Sequence, residues 1–183
     1  MIKALFTDFD GTLVDTFDAN YVAYSEAFSR LGLSLSEQAY RECFGLRFPE
    51  FMDAIGIKDS KIMLQIRQLK SKFYPRCFDK LRPNLPLIDF LRYSRSQGIK
   101  TAVASTARRN NLEAALIYIG VIDMFDVILS GEDVNEGKPN PEIYIKLLEH
   151  FGISSNDALV FEDSEVGLQA AVNAGIQTIK VRL

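Results

Sequence analysis

Residues 6–16 read Phe-Thr-Asp-Phe-Asp-Gly-Thr-Leu-Val-Asp-Thr, in which Asp8 and Asp10 lie one residue apart where an apolar run meets a glycine turn. Because open α/β sheets bind ligands beyond the carboxyl ends of their strands, both carboxylates can point into one crevice at that edge. Neighbouring carboxylates repel each other unless one takes up a proton or a cation lies between them. The pair therefore indicates either a nucleophile with an acid/base partner or a metal site.

A calcium loop and a plain turn are the two structural alternatives for this pair. An EF-hand loop needs glycine at its sixth position and glutamate at its twelfth, and counting from Asp8 these positions hold Leu13 and Ala19. Aspartate and glycine are also favoured in ordinary turns, so the motif taken alone leaves that alternative open.

Composition narrows the class of protein. The chain has 183 residues, 48% of them apolar, which suffices for one packed domain with a small insertion. A net charge of −3 with no Lys/Arg block argues against nucleic-acid binding. Without a membrane-length apolar run or a signal-peptide pattern, we expect a soluble, cytoplasmic protein, and we expect it to be a monomer.

Cys43 and Cys77 lack zinc-ligand spacing and are expected to be reduced and in or near the core.

Strands and helices are predicted to alternate along most of the chain. Buried strands are indicated by five short apolar runs at about 2–8, 99–105, 126–130, 158–162 and 177–181. This alternation predicts an α/β protein with a doubly wound, parallel sheet that carries helices on both faces. The first connection is the exception, because residues 16–81 contain helical stripes but no strand. We therefore expect a small all-helical domain at 16–81, inserted into a Rossmann-like core of residues 1–15 and 82–183.

Three further polar clusters each follow a predicted strand. Because the carboxyl ends of parallel strands lie at one edge of the sheet, we expect these clusters at the same edge as Asp8 and Asp10. Ser105 and Thr106 suit an anionic oxygen, although an N-cap explains them equally well. Lys138 lies between a glycine and a proline, where a loop lysine is either solvated or held rigidly beside an acidic site. Glu162 and Asp163 either cap the next helix or offer the hard oxygen ligands that Mg²⁺ prefers.

The chain resembles the haloacid dehalogenase superfamily of phosphotransferases over nearly its whole length. Four motifs in the expected order carry the resemblance: Asp-Phe-Asp-Gly-Thr at 8–12, Ala-Ser-Thr at 104–106, Gly-Lys-Pro-Asn-Pro at 137–141 and Phe-Glu-Asp-Ser at 161–164. The similar branch has a helical cap after the first strand, and it includes beta-phosphoglucomutases and phosphoglycolate-phosphatase-like hydrolases. The resemblance thus implies that the helical domain is a cap.

The resemblance also implies roles for the acidic motifs. Asp8 would attack phosphorus to form an aspartyl-phosphate, and Asp10 would protonate the leaving oxygen and later activate water. Mg²⁺ would be bound by Asp8, the backbone carbonyl of Asp10 and Asp163, with Glu162 in its inner or outer shell. Dehalogenases of this fold lack the acid/base aspartate and need no metal, so the presence of Asp10 favours phosphoryl transfer.

The transferring phosphoryl group would be held by the remaining motif residues, which are Gly11, Thr12, Ser105, Thr106 and Lys138. The expected partner is therefore a small phosphorylated metabolite, with neither nucleic acid nor a membrane involved.

Departures from the family pattern bear on the substrate. Asn20 lies where beta-phosphoglucomutases generally carry a histidine, which weakens the mutase interpretation. Arg47, in a turn of the cap, is the candidate for substrate specificity, and a solvated surface arginine is the alternative.

His150 lies late in a helix, far from every motif, and is expected at the surface without a catalytic role. Hinges near 14–17 and 79–83 would let the cap open and close.

The chain stops soon after its fifth predicted strand, where relatives usually continue, so we expect either an exposed sheet edge or a truncated chain. The leading hypothesis is a Mg²⁺-dependent phosphatase that acts on a small phosphorylated metabolite. A sugar-phosphate mutase is the first alternative, and a non-catalytic binding protein on the same fold is the second.

Overall fold

The computed structural model describes all 183 residues, Met1–Leu183, and divides into two compact units. The core unit comprises Met1–Asp15 and Arg82–Leu183, and the helical unit comprises Thr16–Leu81. None of the helices combines the length and the apolar character that crossing a bilayer requires.

All seven strands belong to the core unit: β1 Ala4–Thr7, β2 Val14–Asp15, β3 Arg82–Pro83, β4 Lys100–Ala104, β5 Val127–Leu129, β6 Ala158–Glu162 and β7 Gln177–Lys180. Five of them form one parallel sheet in the order β5-β4-β1-β6-β7, which confirms the predicted sheet. The other two, β2 and β3, pair antiparallel as a short ribbon that the sequence did not predict, because two-residue strands carry no readable periodicity.

The position of β1 at the centre of the sheet sets up the site. Ala4 is in register with Lys100 of β4 and Ala158 of β6, and the pairing continues to Thr7. The carboxyl ends of these three parallel strands therefore lie at one edge, and the polar motifs begin just beyond each of them. A central strand with parallel neighbours on both sides is where open α/β sheets form their binding crevice.

The helical unit contains α1 Phe17–Ser29, α2 Glu37–Cys43, α3 Phe48–Ala54 and α4 Ser60–Phe73, followed by a 3₁₀ segment at Tyr74–Lys80. Its core is largely aromatic, with Phe28, Tyr40 and Phe51 buried together with Ile66. Tyr40 and Phe51 meet edge to face with their ring centroids 5.6 Å apart, a geometry that aromatic pairs favour.

The side chains of Cys43 and Cys77 are both buried within the helical unit, as the sequence predicted. Burial raises the pKa of each thiol, so the protonated thiol is favoured over the reactive thiolate.

The core unit has helices on both faces of its sheet: α5 Leu85–Ser96, α6 Arg109–Tyr118, α7 Glu142–Phe151 and α8 Glu165–Asn173. On one face, alternate residues of β1, β4 and β6 form a single buried cluster with α7 and α8. On the other face, Phe161 of β6 meets Phe90 of α5 with ring centroids 5.8 Å apart. A fully buried large apolar side chain, such as that of Phe6, contributes about 1.5–3 kcal/mol relative to exposure.

β7 forms one edge of the sheet and is largely exposed, so the prediction of a buried strand at 177–181 is wrong, because an edge strand has only one neighbouring strand. Ile179 retains 45% of its accessible surface there. Lys180 at the end of the same strand is also exposed, and charged side chains at an edge discourage pairing with another chain.

Candidate active site

Lys138 joins the carboxyl ends of three strands, although it lies in a loop. Its Nζ donates to Asp8 Oδ1 at 2.7 Å, to the carbonyl oxygen of Ala104 at 3.0 Å and to Glu162 Oε1. The lysine is only 4% exposed. The alternative of a solvated loop lysine is therefore wrong, because burial among two carboxylates and a carbonyl holds the ammonium in one place.

The loop that contains Lys138 is held by hydrogen bonds to the first turn of the helix that follows it. The Glu142 carboxylate, in the first turn of α7, accepts the backbone N–H of Asn135 at 3.0 Å and of Glu136 at 2.9 Å. A hydrogen bond from Lys146, together with these N–H groups, lowers the pKa of Glu142 to about 2. Glu142 is thus ionised at neutral pH and satisfies the backbone of the turn that precedes the lysine.

Glu162 is fully buried and anchors Lys138. Its Oε1 accepts from Lys138 and, at 3.3 Å, from the hydroxyl of Tyr144. Its Oε2 accepts from the backbone N–H of Asp163 at 3.1 Å and from the hydroxyl of Ser164 at 3.1 Å. The sequence analysis did not identify Tyr144 as a site residue. Its ring lies 5.4 Å from the Lys138 Nζ, close enough for a cation–π contact.

A substitution at Gly167 tests how tightly Glu162 is held. Alanine normally stabilises a helix relative to glycine by about 1 kcal/mol, but a Cβ at this position of α8 would overlap the Glu162 carboxylate. We expect Gly167→Ala to lower the free energy of unfolding by about 1–3 kcal/mol instead, measured by urea denaturation. Val166→Ala, at an exposed neighbouring position, is the control and should change it little. A stabilised Gly167→Ala variant would show that Glu162 is free to move.

The charge balance at the strand ends is negative. Burial raises the pKa of Asp8 well above its usual range, with Lys138 opposing the effect and the carboxylates of Glu162 and Asp10 adding to it. Burial alone would lower the pKa of Lys138, but Asp8 and Glu162 raise it well above its usual range. Burial also raises the pKa of Asp163. One ammonium among four carboxylates is a setting that favours a further cation.

Asp8, Glu162 and Asp163 each place one carboxylate oxygen so that all three oxygens lie within 4.8 Å of one another. The glycine turn shapes this cluster, because a Cβ at Gly11 would overlap Asp163 and because Gly11 has φ +87°. Thr12 is fully buried, and its hydroxyl donates to Asp163 Oδ1 at 2.8 Å. These residues thus orient the third carboxylate, and the plain-turn alternative does not account for them.

Ser105 lies at the same edge, directly after β4, and is 1% exposed. Its Oγ accepts the backbone N–H of Ala107 at 3.0 Å, whereas Thr106 is exposed. The N-cap of α6 is Arg108, so the helix-cap alternative for Ser105 and Thr106 is wrong. In the last motif, Ser164 is the N-cap of α8. The alternative that Glu162 and Asp163 cap this helix is therefore wrong.

The structure brings together Asp8, Lys138, Glu162 and Asp163, whereas the two substrate-specificity candidates lie in the helical unit. Asn20 is buried, and its amide donates to the Thr16 hydroxyl at 3.0 Å. Arg47 is exposed at the start of α3. His150 is exposed in the last turn of α7 against Phe151, as expected.

Buried carboxylates and a lysine with shifted pKa values, gathered at the carboxyl ends of parallel strands, are typical of an active site on an α/β sheet. The family model for haloacid dehalogenase-like hydrolases matches residues 5–181, and the chain belongs to this family. The resemblance inferred from the four motifs is thereby confirmed, together with the fold.

Individual relatives agree with this assignment. The chain is 35% identical to the phosphorylated carbohydrates phosphatase of Thermotoga maritima, over 97% of this chain and 84% of that protein. It is 27% identical to the fructose-1-phosphate phosphatase YqaB of Escherichia coli, over 98% of this chain and 96% of that protein. Among solved structures, CbbY from Rhodobacter sphaeroides in complex with phosphate is similar, with a TM-score of 0.87 and 29% identity, covering 100% of this chain and 87% of that chain.

Proposed function

We propose that this protein is a Mg²⁺-dependent phosphatase of a small phosphorylated carbohydrate in the cytoplasm, working through an aspartyl-phosphate on Asp8. The observation that carries the proposal is the buried contact between Asp8 and Lys138 at 2.7 Å, at the carboxyl end of the central strand. A non-catalytic binding protein has no need of a buried carboxylate held by a lysine beside a second aspartate. The phosphatases among the relatives point to the same chemistry.

Four residues of the core unit have a defined role in the proposed reaction: Asp8, Asp10, Ser105 and Lys138. A carboxylate oxygen of Asp8 forms a bond to phosphorus while the bond from phosphorus to the leaving oxygen breaks, and Asp10 donates a proton to that oxygen. Lys138 and Ser105 hold the phosphoryl oxygens as their charge is redistributed. Asp10 then takes a proton from water, which attacks the aspartyl-phosphate and releases inorganic phosphate and free Asp8.

The residues present fit a magnesium ion, because hard carboxylate oxygens converge in a site with excess negative charge. Asp8, Asp163 and the backbone carbonyl of Asp10 would hold it. Both oxygens of Glu162 already accept hydrogen bonds from protein groups, so we place Glu162 outside the inner shell. When bound, the ion supplies positive charge that offsets the repulsion between the carboxylates and an anionic substrate.

We further propose that the helical unit is the cap that contacts the part of the substrate remote from phosphate. Arg47 is the candidate for a charged contact, and Asn20 replaces the histidine expected in a mutase. The chain segments near 14–17 and 79–83, where β2 ends and β3 begins, are the proposed hinges. Small-angle scattering profiles that are identical with and without a phosphate analogue would contradict this closure.

Release of inorganic phosphate is the test of the proposed function. We expect hydrolysis of at least one compound in a panel of sugar phosphates, nucleotides and phosphoglycolate, and its loss when EDTA removes Mg²⁺. Readdition of Mg²⁺ should restore the rate, and circular dichroism should show that the fold is intact throughout. An isomerised sugar phosphate without free phosphate would instead identify a mutase. A folded protein that binds Mg²⁺ but transforms no compound would be a binding protein.

A further inference from the structure

Two loops of the core unit present the groups that hold phosphate in the proposed function. We call residues 105–108, between β4 and α6, the serine loop. Residues 130–141, between β5 and α7, are the lysine loop. Neither Ser105 nor Lys138 lies within a helix or strand, so contacts between the two loops add to those of the Lys138 ammonium in setting their relative position.

Backbone contacts join the loops where they begin. The N–H of Ser105 donates to the carbonyl oxygen of Leu129 at 3.0 Å, and the N–H of Gly131 donates to that of Ala107 at 2.9 Å. Gly131 packs so closely on the serine loop that a Cβ there would overlap the carbonyl oxygen of Thr106. Only glycine allows this approach, and the two loops therefore run side by side from the end of the sheet.

Asp133 and Arg109 extend this junction with side chains. Both Asp133 oxygens accept from Arg109 Nη2 at 2.6 Å, and Asp133 Oδ2 also accepts from the Ser130 N–H at 2.7 Å and hydroxyl at 2.6 Å. Ser130 is fully buried, and Lys146 of α7 donates to the Asp133 carbonyl oxygen at 2.5 Å. Burial would raise the pKa of Asp133, but the hydrogen bonds from Arg109 and Ser130 lower it.

A second ion pair crosses between the same loops without such support. Arg108 Nε donates to Glu132 Oε1 at 3.0 Å, and these side chains are 49% and 46% exposed, against 35% and 27% for Arg109 and Asp133. Exposed ion pairs contribute little, because water screens them and side-chain entropy opposes them. Arg108 and Glu132 are thus a matched control, because each lies one residue away in sequence from a member of the Arg109–Asp133 pair.

We propose that Asp133 and Arg109 are positioning residues that fix the serine loop against the lysine loop and so hold Ser105 and Lys138 in one geometry. This inference rests on the proposed phosphatase function, in which both groups bind the same phosphoryl oxygens. Asp133 acts at the start of the lysine loop, while Glu142 secures the segment before Lys138. A phosphoryl clamp built from two loops needs such a junction, since a displacement of about 1 Å can cost a factor of about 100 in rate.

Steady-state kinetics with six proteins test the proposal: wild type, Arg109→Gln, Asp133→Asn, their double variant, Arg108→Gln and Glu132→Gln. We expect kcat to fall by about tenfold or more in each of the first two variants while KM changes by less than about threefold, because the charges that bind phosphate remain. The double variant should lose no more than the worse single one, since the pair acts as a unit. Arg108→Gln and Glu132→Gln should stay within about twofold of wild type.

Hydrogen exchange separates failure of this inference from failure of the proposed function. Amides of residues 131–138 should exchange faster in Asp133→Asn than in Glu132→Gln, whether or not any phosphate ester is hydrolysed. If the wild-type protein hydrolyses no compound, the proposed phosphatase function is wrong. The hydrogen-exchange rates then test by themselves whether Arg109 and Asp133 hold the two loops together. Equal exchange in the two variants, or equal kcat losses in the two pairs, would overturn the proposal. Should Arg109→Gln not fold, Arg109→Lys replaces it and should retain part of kcat.

Discussion

Replacing Asp8 with asparagine is expected to reduce phosphate release by at least about 10³-fold, because an amide cannot form the aspartyl-phosphate. The exchange preserves shape, and Lys138 keeps its contact with Glu162, so the buried ammonium retains a carboxylate partner. The loss should therefore appear in kcat with the protein fully folded. Phosphate release at saturating substrate, together with a thermal melt, measures both properties.

A matched control for this variant lies at the opposite end of the sheet. Asp157 precedes β6 and pairs with Lys3 at 3.0 Å, away from every motif residue. Asp157→Asn should leave turnover unchanged within about twofold. If Asp8→Asn retained activity comparable to this control, the carboxylate of Asp8 would not be the nucleophile, and the proposed mechanism would be wrong.

Replacing Lys138 with methionine is expected to damage stability and activity together. Methionine matches the length of the stem but leaves the buried carboxylates of Asp8 and Glu162 without their cation. Breaking a buried ion pair in this way costs about 3–5 kcal/mol of unfolding free energy. Loss of a positive charge from the phosphoryl site should also lower kcat by about 10²–10³-fold. Urea denaturation and phosphate release give the two numbers.

The pH dependence of the Lys138→Met variant follows from the raised pKa of Asp8. Burial already raises it, and removal of the lysine takes away the main opposing charge. The folded variant then binds more protons than the unfolded chain, so its stability falls as pH rises. We expect the deficit relative to wild type to be larger at pH 8 than at pH 5. Lys180→Met, at an exposed lysine of β7, is the control and should change stability by less than about 1 kcal/mol at either pH.

The strands and the aspartate pair were predictable because their signals are local. Strands β1, β4, β5 and β6 contain short apolar runs, and their parallel direction follows from the helices between them. The helical unit was predicted from the length of the first connection and from its apolar helical stripes. The first helix, α1, also buries a second stripe that consists of Ala19, Ala23 and Ala27. Alanine is common on both buried and exposed helix faces, so this stripe did not predict a core face. Composition alone cannot tell such a stripe from a solvent-facing one.

The contacts of Lys138 and Glu162 could not be predicted, because the residues that bury them are far apart in sequence. Nothing near Lys138 indicates that β1 and β6 supply its two carboxylate partners. The Arg109 and Asp133 pair has the same origin, since Arg109 begins α6 and Asp133 lies in the lysine loop, and these segments meet only after β4 and β5 have paired. Sequence motifs place such groups at one edge of the sheet, while pairing between distant strands decides which of them touch.

The sheet order has a consequence for folding during synthesis. β1 is made before the helical unit, yet both of its neighbours, β4 and β6, are made after it. The helical unit is continuous in sequence, Thr16–Leu81, whereas Leu5 and Phe6 of β1 stay unpaired until β4 and β6 have been made. Pairing between distant segments is slow, and unpaired strands invite aggregation. The nascent chain thus carries Asp8, the proposed nucleophile, directly after a strand that stays unpaired until most of the chain has been made.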